Sequence, residues 1–259
     1  MYLSTLAVAL CLLLERTFAF YVLVPLYVYP GTLASAWQPL FDAIHNHPSV
    51  NFQIVINVDT GPGSTALPDA NFIAGISQLN SYHNTRLVGY VDTAHAGRTY
   101  DAVHNDVKRY AGWSSHKPEN ISVAGIFFDD VPWKDDGSYM KTVSGYAYTN
   151  FTTSGTVIFN PGDIPADASY FSHATTVVEY EDTLANYNGP TVIPKMTAGK
   201  HSQIAIIVNE ASPTMSRIQT LVSIAKSNNI GGVSLTSDCC YKVLNSTLLS
   251  DLAGVVGSS

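Results

Sequence analysis

Eight short runs of Val, Ile, Leu and Phe recur along this chain, and each interval between them leaves room for a helix. They fall at Tyr21–Val28, Phe52–Val58, Leu87–Val91, Val123–Phe128, Thr156–Phe159, Thr175–Tyr180, Gln203–Val208 and Gly232–Leu235. Near-continuous apolar runs mark strands buried on both faces, the pattern of parallel sheets covered by helices. Three of the intervening segments carry helical stripes: Phe72, Ile73, Ile76 and Leu79; Val103, Val107 and Tyr110; and Met215, Ile218, Leu221, Val222 and Ala225. The last of these is expected to start at Ser212-Pro213, with serine as N-cap and proline at the first helical position. Eight strands alternating with helices predict an α/β fold, a single-domain (β/α)8 TIM barrel, and a length of 259 residues suits one. A doubly wound open sheet is the alternative. It would leave eight similar strands unclosed, and the chain has no G-x-G-x-x-G or P-loop to hold a nucleotide.

In such a barrel the reactive groups belong at the C-terminal strand ends. Those ends carry Tyr29, Asp59, Asp92, Asp129 with Asp130, Asn160, Glu181, Asn209 with Glu210, and Asp238, in strand order. A single acid after a strand is commonly a turn former or a helix cap, and for Asp59, Asp92 and Asp238 that reading stands beside the functional one. The set as a whole points to glycosidic hydrolysis. That reaction needs one carboxyl group to protonate the leaving oxygen and a second as nucleophile or as base for water. Asp129, Asp130 and Glu181 are the candidate catalytic residues. Side chains alternate along a strand, so Asp129 and Asp130 start on opposite sides, and the sequence leaves open which faces the mouth. The same alternation puts Glu179 and Glu181 on one face, with Glu179 deeper. Tyr29, Asp59, Tyr90, Asp92, Trp133, Asn160 and Asp238 are the candidate substrate contacts; Tyr27 and Tyr180 are read mainly as core. Spare carboxylates around the mouth would draw in a polymer carrying free amines.

A net charge of −7 argues against nucleic acid as a partner. Charged residues make up only 13% of the chain, which suits an extracellular protein. Residues 1–19 read as a signal peptide: Leu3 to Leu14 is mostly apolar but short for a membrane span, and Thr17-Phe18-Ala19 places small residues where a peptidase cuts. The mature barrel would then be residues 20–259, secreted to the medium or cell wall, monomeric and without stable membrane insertion. Asn120, Asn150 and Asn245 head glycosylation sequons. Removal of Cys11 would leave only Cys239-Cys240. A bond between neighbours would need a strained ring, and two free thiols are the other reading. No cofactor is expected. The chain has neither a G-x-S-x-G elbow nor an H-E-x-x-H zinc pattern.

Several segments, in order, resemble the spherulin-four family, the spherulation-specific proteins. They are Val24-Pro-Leu-Tyr27 with Tyr29-Pro30-Gly31, Ile56-Asn57 with Gly61-Pro62-Gly63, and Gly89-Tyr90-Val91-Asp92-Thr93. Gly125-Ile-Phe-Phe-Asp129-Asp130, Asn160-Pro161-Gly162, Val177-Val-Glu-Tyr-Glu181-Asp182 and Leu235-Thr236-Ser237-Asp238 complete the set. The resemblance spans nearly the whole expected mature chain. It implies a secreted (β/α)8 barrel and, from its fungal members, endo-hydrolysis of α-1,4-linked N-acetylgalactosamine in galactosaminogalactan. It places the acidic pair on Asp129 and Asp130 and the third acid on Glu181. Family enzymes usually have Asp-Glu where this chain has Asp129-Asp130. That departure keeps open an alternative: a catalytically weakened carbohydrate-binding or spherulation-associated wall protein on the same barrel.

Overall fold

The computed structural model describes residues 20–134, 137–151 and 155–258. The expected signal segment, residues 1–19, lies outside them. Eight parallel strands close into a barrel in sequence order: β1 (Tyr21–Leu26), β2 (Asn51–Ile56), β3 (Thr85–Asp92), β4 (Gly125–Asp129), β5 (Thr156–Phe159), β6 (Thr176–Thr183), β7 (Ile204–Asn209) and β8 (Gly232–Leu235). The TIM-barrel expectation therefore holds, with strand ends moved by a few residues. Five of the crossovers carry helices of nine or more residues: α1 (Gln38–Asn46), α2 (Ala70–Asn80), α3 (Tyr100–Gly112), α4 (Ser138–Asn150) and α7 (Met215–Ser227). Those after β5 and β6 are single turns, α5 (Tyr170–His173) and α6 (Gly189–Val192). The chain closes on α8 (Ser246–Ser258), which packs on α1 and α7.

All three stripes seen in the sequence are buried helix faces, except that Ile73 is half-buried and Met215 is exposed. Each of those helices starts at a side-chain cap that relieves unpaired N–H groups of the first turn. Asp69 accepts from the backbone N–H groups of Asn71 and Phe72, at 2.9 and 3.1 Å. Thr99 accepts from Ala102 and Thr214 from Arg217. The start expected at Ser212-Pro213 is thus corrected to Thr214. Its hydroxyl accepts from the N–H of Arg217, three residues on, and the serine and proline remain in the loop.

Strand alternation separates two cores. Odd-numbered Tyr21 and Leu23 of β1, with Val55, Val88, Tyr90, Phe127, Ile158, Val178, Ala205 and Ile207, fill the barrel interior. Their even-numbered or odd-numbered neighbours face the helices in a larger outer cluster around Trp37, Tyr110 and Trp113. Glycines sit where large rings press on the strands, Gly89 under the helical layer and Gly232 in the barrel interior. A Cβ on Gly89 would lie 2.5 Å from the ring of Tyr110, whose hydroxyl donates to the Ile56 carbonyl at 2.8 Å. A Cβ on Gly232 would lie 2.4 Å from the ring of Tyr21.

Backbone strain is confined almost entirely to one end of the barrel. Among the described residues, ten non-glycine residues have left-handed φ. All except Asn229 lie in loops after the C-terminal ends of strands: Leu33, Ala34, Thr60, Ala94, His95, Ala96, Asp130, Glu210 and Tyr241. Left-handed conformations cost side-chain-bearing residues free energy and persist where surrounding contacts over-determine them. Their concentration distinguishes this mouth from the opposite face of the barrel. Gly89→Ala is expected to destabilise the fold by about 1–3 kcal/mol through displacement of Tyr110. Urea titration measures this, and an unchanged midpoint would show that the α3 layer shifts at no cost.

Candidate active site

Two carboxyl groups meet above the barrel interior through one amide nitrogen. Asn160 follows β5, between the strands that carry Asp129 and Glu181, and is only 6% exposed. Its Nδ2 donates to Asp129 Oδ1 at 2.8 Å and to Glu181 Oε2 at 2.6 Å. Two bonds meeting at one nitrogen hold the two oxygens at most about 5.4 Å apart, the sum of those lengths. Tyr90 donates a further hydrogen bond to Asp129. Tyr241 donates to Glu181 Oε1, and its hydroxyl also meets Asn209 at the end of β7. Tyr27 stands edge-on between Tyr90 and Tyr241, with ring centroids 5.2 and 5.3 Å away.

This arrangement settles the side-chain parity of β4. Phe127 points into the barrel, so Asp129, two residues on, does too. Asp130 turns away with φ 47°, is 58% exposed and lies 3.9 Å from His95 Nε2. Its carbonyl accepts from His95 N and Thr93 Oγ1, which ties the loop after β3 to the end of β4.

On β6 the expectation of a shared face for Glu179 and Glu181 is overturned. Val178 pairs with Ala205 and Tyr180 with Ile206, so Glu179 is an extra residue, a β-bulge. The bulge inverts the alternation above it. Val178 points inward, Tyr180 packs in the outer cluster, and Glu181 points inward again. Glu179 is 2% exposed and reaches Thr197 instead, accepting from its N–H at 2.9 Å and its hydroxyl at 2.5 Å. Burial raises the pKa of Glu179, and the Thr197 bonds oppose that rise.

The remaining candidates divide by place. Tyr90 and Asn160 belong to the carboxyl network. Asp92 stands beside Asp129 in the strand register and accepts from Ala94 N at 2.7 Å. Asp238 accepts from Thr236 Oγ1 and from Lys242 N, which closes the turn after β8. Asp59 is exposed in the turn after β2. Tyr29 is exposed on the rim and donates to Asp69, the cap of α2. Trp133 is half-buried in the loop after β4, with Lys134 Nζ 4.2 Å from its ring centroid. Tyr27 joins the site wall, whereas Tyr180 packs on Tyr187 in the outer layer. Asn120 and Asn245 are exposed and Asn150 is half-buried at the end of α4. Among the described residues no group of three or more His, Cys, Asp or Glu side chains comes together to hold a metal ion. None of their helices is long and apolar enough to cross a membrane.

Sequence reasoning missed Tyr241 as a site residue. Its only signal was a hydroxylated aromatic in the loop directly after the last strand. The surroundings of the pair also govern the protonation of Asp129. Asp129 is pushed up to about 7, first by burial and then by the negative charge of Glu181, against the bonds from Tyr90 and Asn160. The hydroxyls of Tyr27, Tyr90 and Tyr241 are held far above the usual tyrosine range, mainly by burial, and stay protonated donors.

A family model described as "Spherulation-specific family 4" matches residues 21–256. The chain belongs to this family. Spherulin-4 of Physarum polycephalum is 28% identical over 253 residues, covering 90% of this chain and 69% of the relative. The crystal structure of Aspergillus clavatus Sph3 in complex with GalNAc superposes with a TM-score of 0.84 at 32% identity, covering 93% of this chain and 98% of the other. A Bacteroides ovatus GH5 xyloglucanase shares the fold alone, at 8% identity and a TM-score of 0.50, over 94% of this chain and 75% of its own.

The shift at Asp129 has a consequence for stability. The folded state holds this proton between about pH 4 and pH 7, where an unfolded carboxyl has lost it. The contribution is fully present below the unfolded value of 3.8 and is lost as pH rises through about 7. Asp129→Asn, neutral at every pH, is therefore expected to gain on the wild type as pH rises from 4 to 8. The gain should reach a few kcal/mol at most, or on the order of 10 °C in Tm. Thermal melts across that range measure it; a constant difference would mean Asp129 titrates like an ordinary carboxyl.

Proposed function

We propose that this chain is a secreted glycoside hydrolase that cleaves α-1,4-linked N-acetylgalactosamine within a galactosaminogalactan-type polymer. The observation that carries the reading is the Asp129–Asn160–Glu181 bridge with a proton-holding Asp129. Likeness to the GalNAc-bound Sph3 supports the choice of sugar. Asp129 is the general acid, since its raised pKa keeps it protonated near neutrality. Glu181 is the nucleophile, aimed by Tyr241 and Asn160. In the first step Asp129 gives its proton to the leaving oxygen while Glu181 bonds to the anomeric carbon as the glycosidic bond breaks. In the second, Asp129 takes a proton from water, the water oxygen bonds to that carbon, and Glu181 leaves. The two oxygens bridged by Asn160 lie no more than about 5.4 Å apart, which is compatible with the ~5–5.5 Å of double displacement and short of the ~6.5–9.5 Å of inversion. Tyr27 and Tyr90 wall the sugar site, and Trp133, Asp92, Tyr29, Asp59 and Asp238 lie along the path of the polymer.

Secretion is part of the proposal, with residues 1–19 removed and glycans on Asn120, Asn150 and Asn245. N-terminal sequencing of secreted protein should begin at or near Phe20. Intact Met1 on secreted, active material would overturn that assignment.

One observation favours a second reading. Asp130 faces solvent and lies by His95, away from the bridged pair. A carbohydrate-binding wall protein would retain polymer without cutting it. Incubation with galactosaminogalactan decides between the two, because hydrolysis releases new reducing ends and binding alone does not. With hydrolysis, Asp129→Asn and Glu181→Gln should each lower the rate by at least about 10²-fold while the fold persists. The rate should decline as pH rises through about 7 and Asp129 loses its proton. The first-formed reducing ends should keep the α configuration by NMR; a β product would replace Glu181 as nucleophile by an activated water.

A further inference from the structure

The loop after β8 does two things within five residues. Asp238 closes it by accepting from Lys242 N at 3.0 Å. At its far side Tyr241, with φ 58° and only 8% exposed, reaches inward to Glu181 and Asn209. Between these two anchors sit Cys239 and Cys240, both free and both exposed at the mouth. Their thiols are close enough to hydrogen-bond each other. Two accessible thiols thus stand immediately before the residue that aims Glu181.

We propose that Cys239-Cys240 is a reversible redox-modification site whose oxidant is a low-molecular-weight disulfide, and that closing the pair into a vicinal disulfide withdraws Tyr241 from Glu181. The exchange balances as follows. One cysteine thiolate attacks a sulfur of the small disulfide and expels a thiolate. The neighbouring thiolate then attacks the resulting mixed disulfide at the protein sulfur and expels the second. The protein loses two electrons and two protons, and the small disulfide becomes two thiols. Neighbouring Cα atoms stand ~3.8 Å apart, below the usual range for a disulfide of about 4.4–6.8 Å. The ring is therefore strained, and a strained, exposed disulfide is easily reduced, which suits a switch better than a staple. The strain must be relieved in the backbone of the loop. Asp238 and Lys242 clamp one route, and the left-handed Tyr241 is the adjoining joint.

The effect on catalysis rests on the glycosidase reading; the oxidation and the movement of Tyr241 do not. The test uses the full chain with 3-fluorotyrosine at position 241, incubated with oxidised glutathione or with dithiothreitol. Peptide mapping should show the peptide bearing both cysteines lighter by about 2 Da after oxidation, two hydrogens lost. The fluorine resonance should shift in the same samples and return on reduction. In unlabelled protein, hydrolysis should fall on the order of 10- to 100-fold on oxidation and recover with dithiothreitol, because a displacement near 1 Å at a reacting group has that effect. The Cys239→Ser/Cys240→Ser double variant should keep the reduced-state resonance and rate under both conditions. Formation of the disulfide with an unmoved fluorine resonance would overturn the coupling, and a stable glutathione adduct without ring closure would overturn the vicinal bond. If the reduced protein hydrolyses nothing while the resonance still shifts, the glycosidase reading fails and the redox site stands.

Discussion

A single neutral donor, the Asn160 amide nitrogen, organises the mouth of this barrel. Two carboxyl groups this close repel each other, and burial strengthens that repulsion. A lysine between them would hold both in place but would favour ionisation of both, drawing the proton from Asp129. The amide binds each carboxyl without supplying a charge. Position is held while the electrostatic pressure on Asp129 remains, which is how one member of the pair keeps a proton near neutral pH. The tyrosines add to this balance. Tyr90 and Tyr241 direct one hydroxyl each at the two acids, and Tyr27 packs edge-on against both rings.

That bridge exists only because β6 breaks its own alternation. In an unbroken strand Val178 inward would mean Tyr180 inward and Glu181 among the helices. The extra residue at Glu179 inverts the pattern above it and delivers Glu181 to the mouth. The bulge is held from outside by Thr197, whose N–H and hydroxyl satisfy the buried Glu179 carboxyl. A contact in the helical layer thus sets the aim of a side chain in the barrel interior. The left-handed residues of the C-terminal loops extend the same theme. Asp130 is held in a costly conformation by bonds to the loop after β3 and Tyr241 by its bond to Glu181 on β6, so the two sides of the site are positioned by contacts remote in sequence.

Much of this protein is legible in the order of its residues. Eight apolar runs, each followed by a helix or its remnant, point to a closed parallel barrel, because an open doubly wound sheet would leave eight strands of similar character unclosed. The acids at the strand ends follow from that topology, and Asp129, Asn160 and Glu181 were visible as members of one ring. Segment motifs carried the family. The rest depended on three dimensions. Periodicity is local, so a one-residue bulge detectable only by pairing with β7 put Glu181 in the interior and left Glu179 in the outer layer. Tyr241 lies 60 positions from its partner Glu181, and no short-range pattern connects them. The sequence by itself determined the barrel, the working end and the residue types gathered there. Tertiary structure decided which two carboxyls share a donor, which one keeps its proton and which acid turns to solvent, because burial, charge and hydrogen bonding act through distances that chain order does not contain.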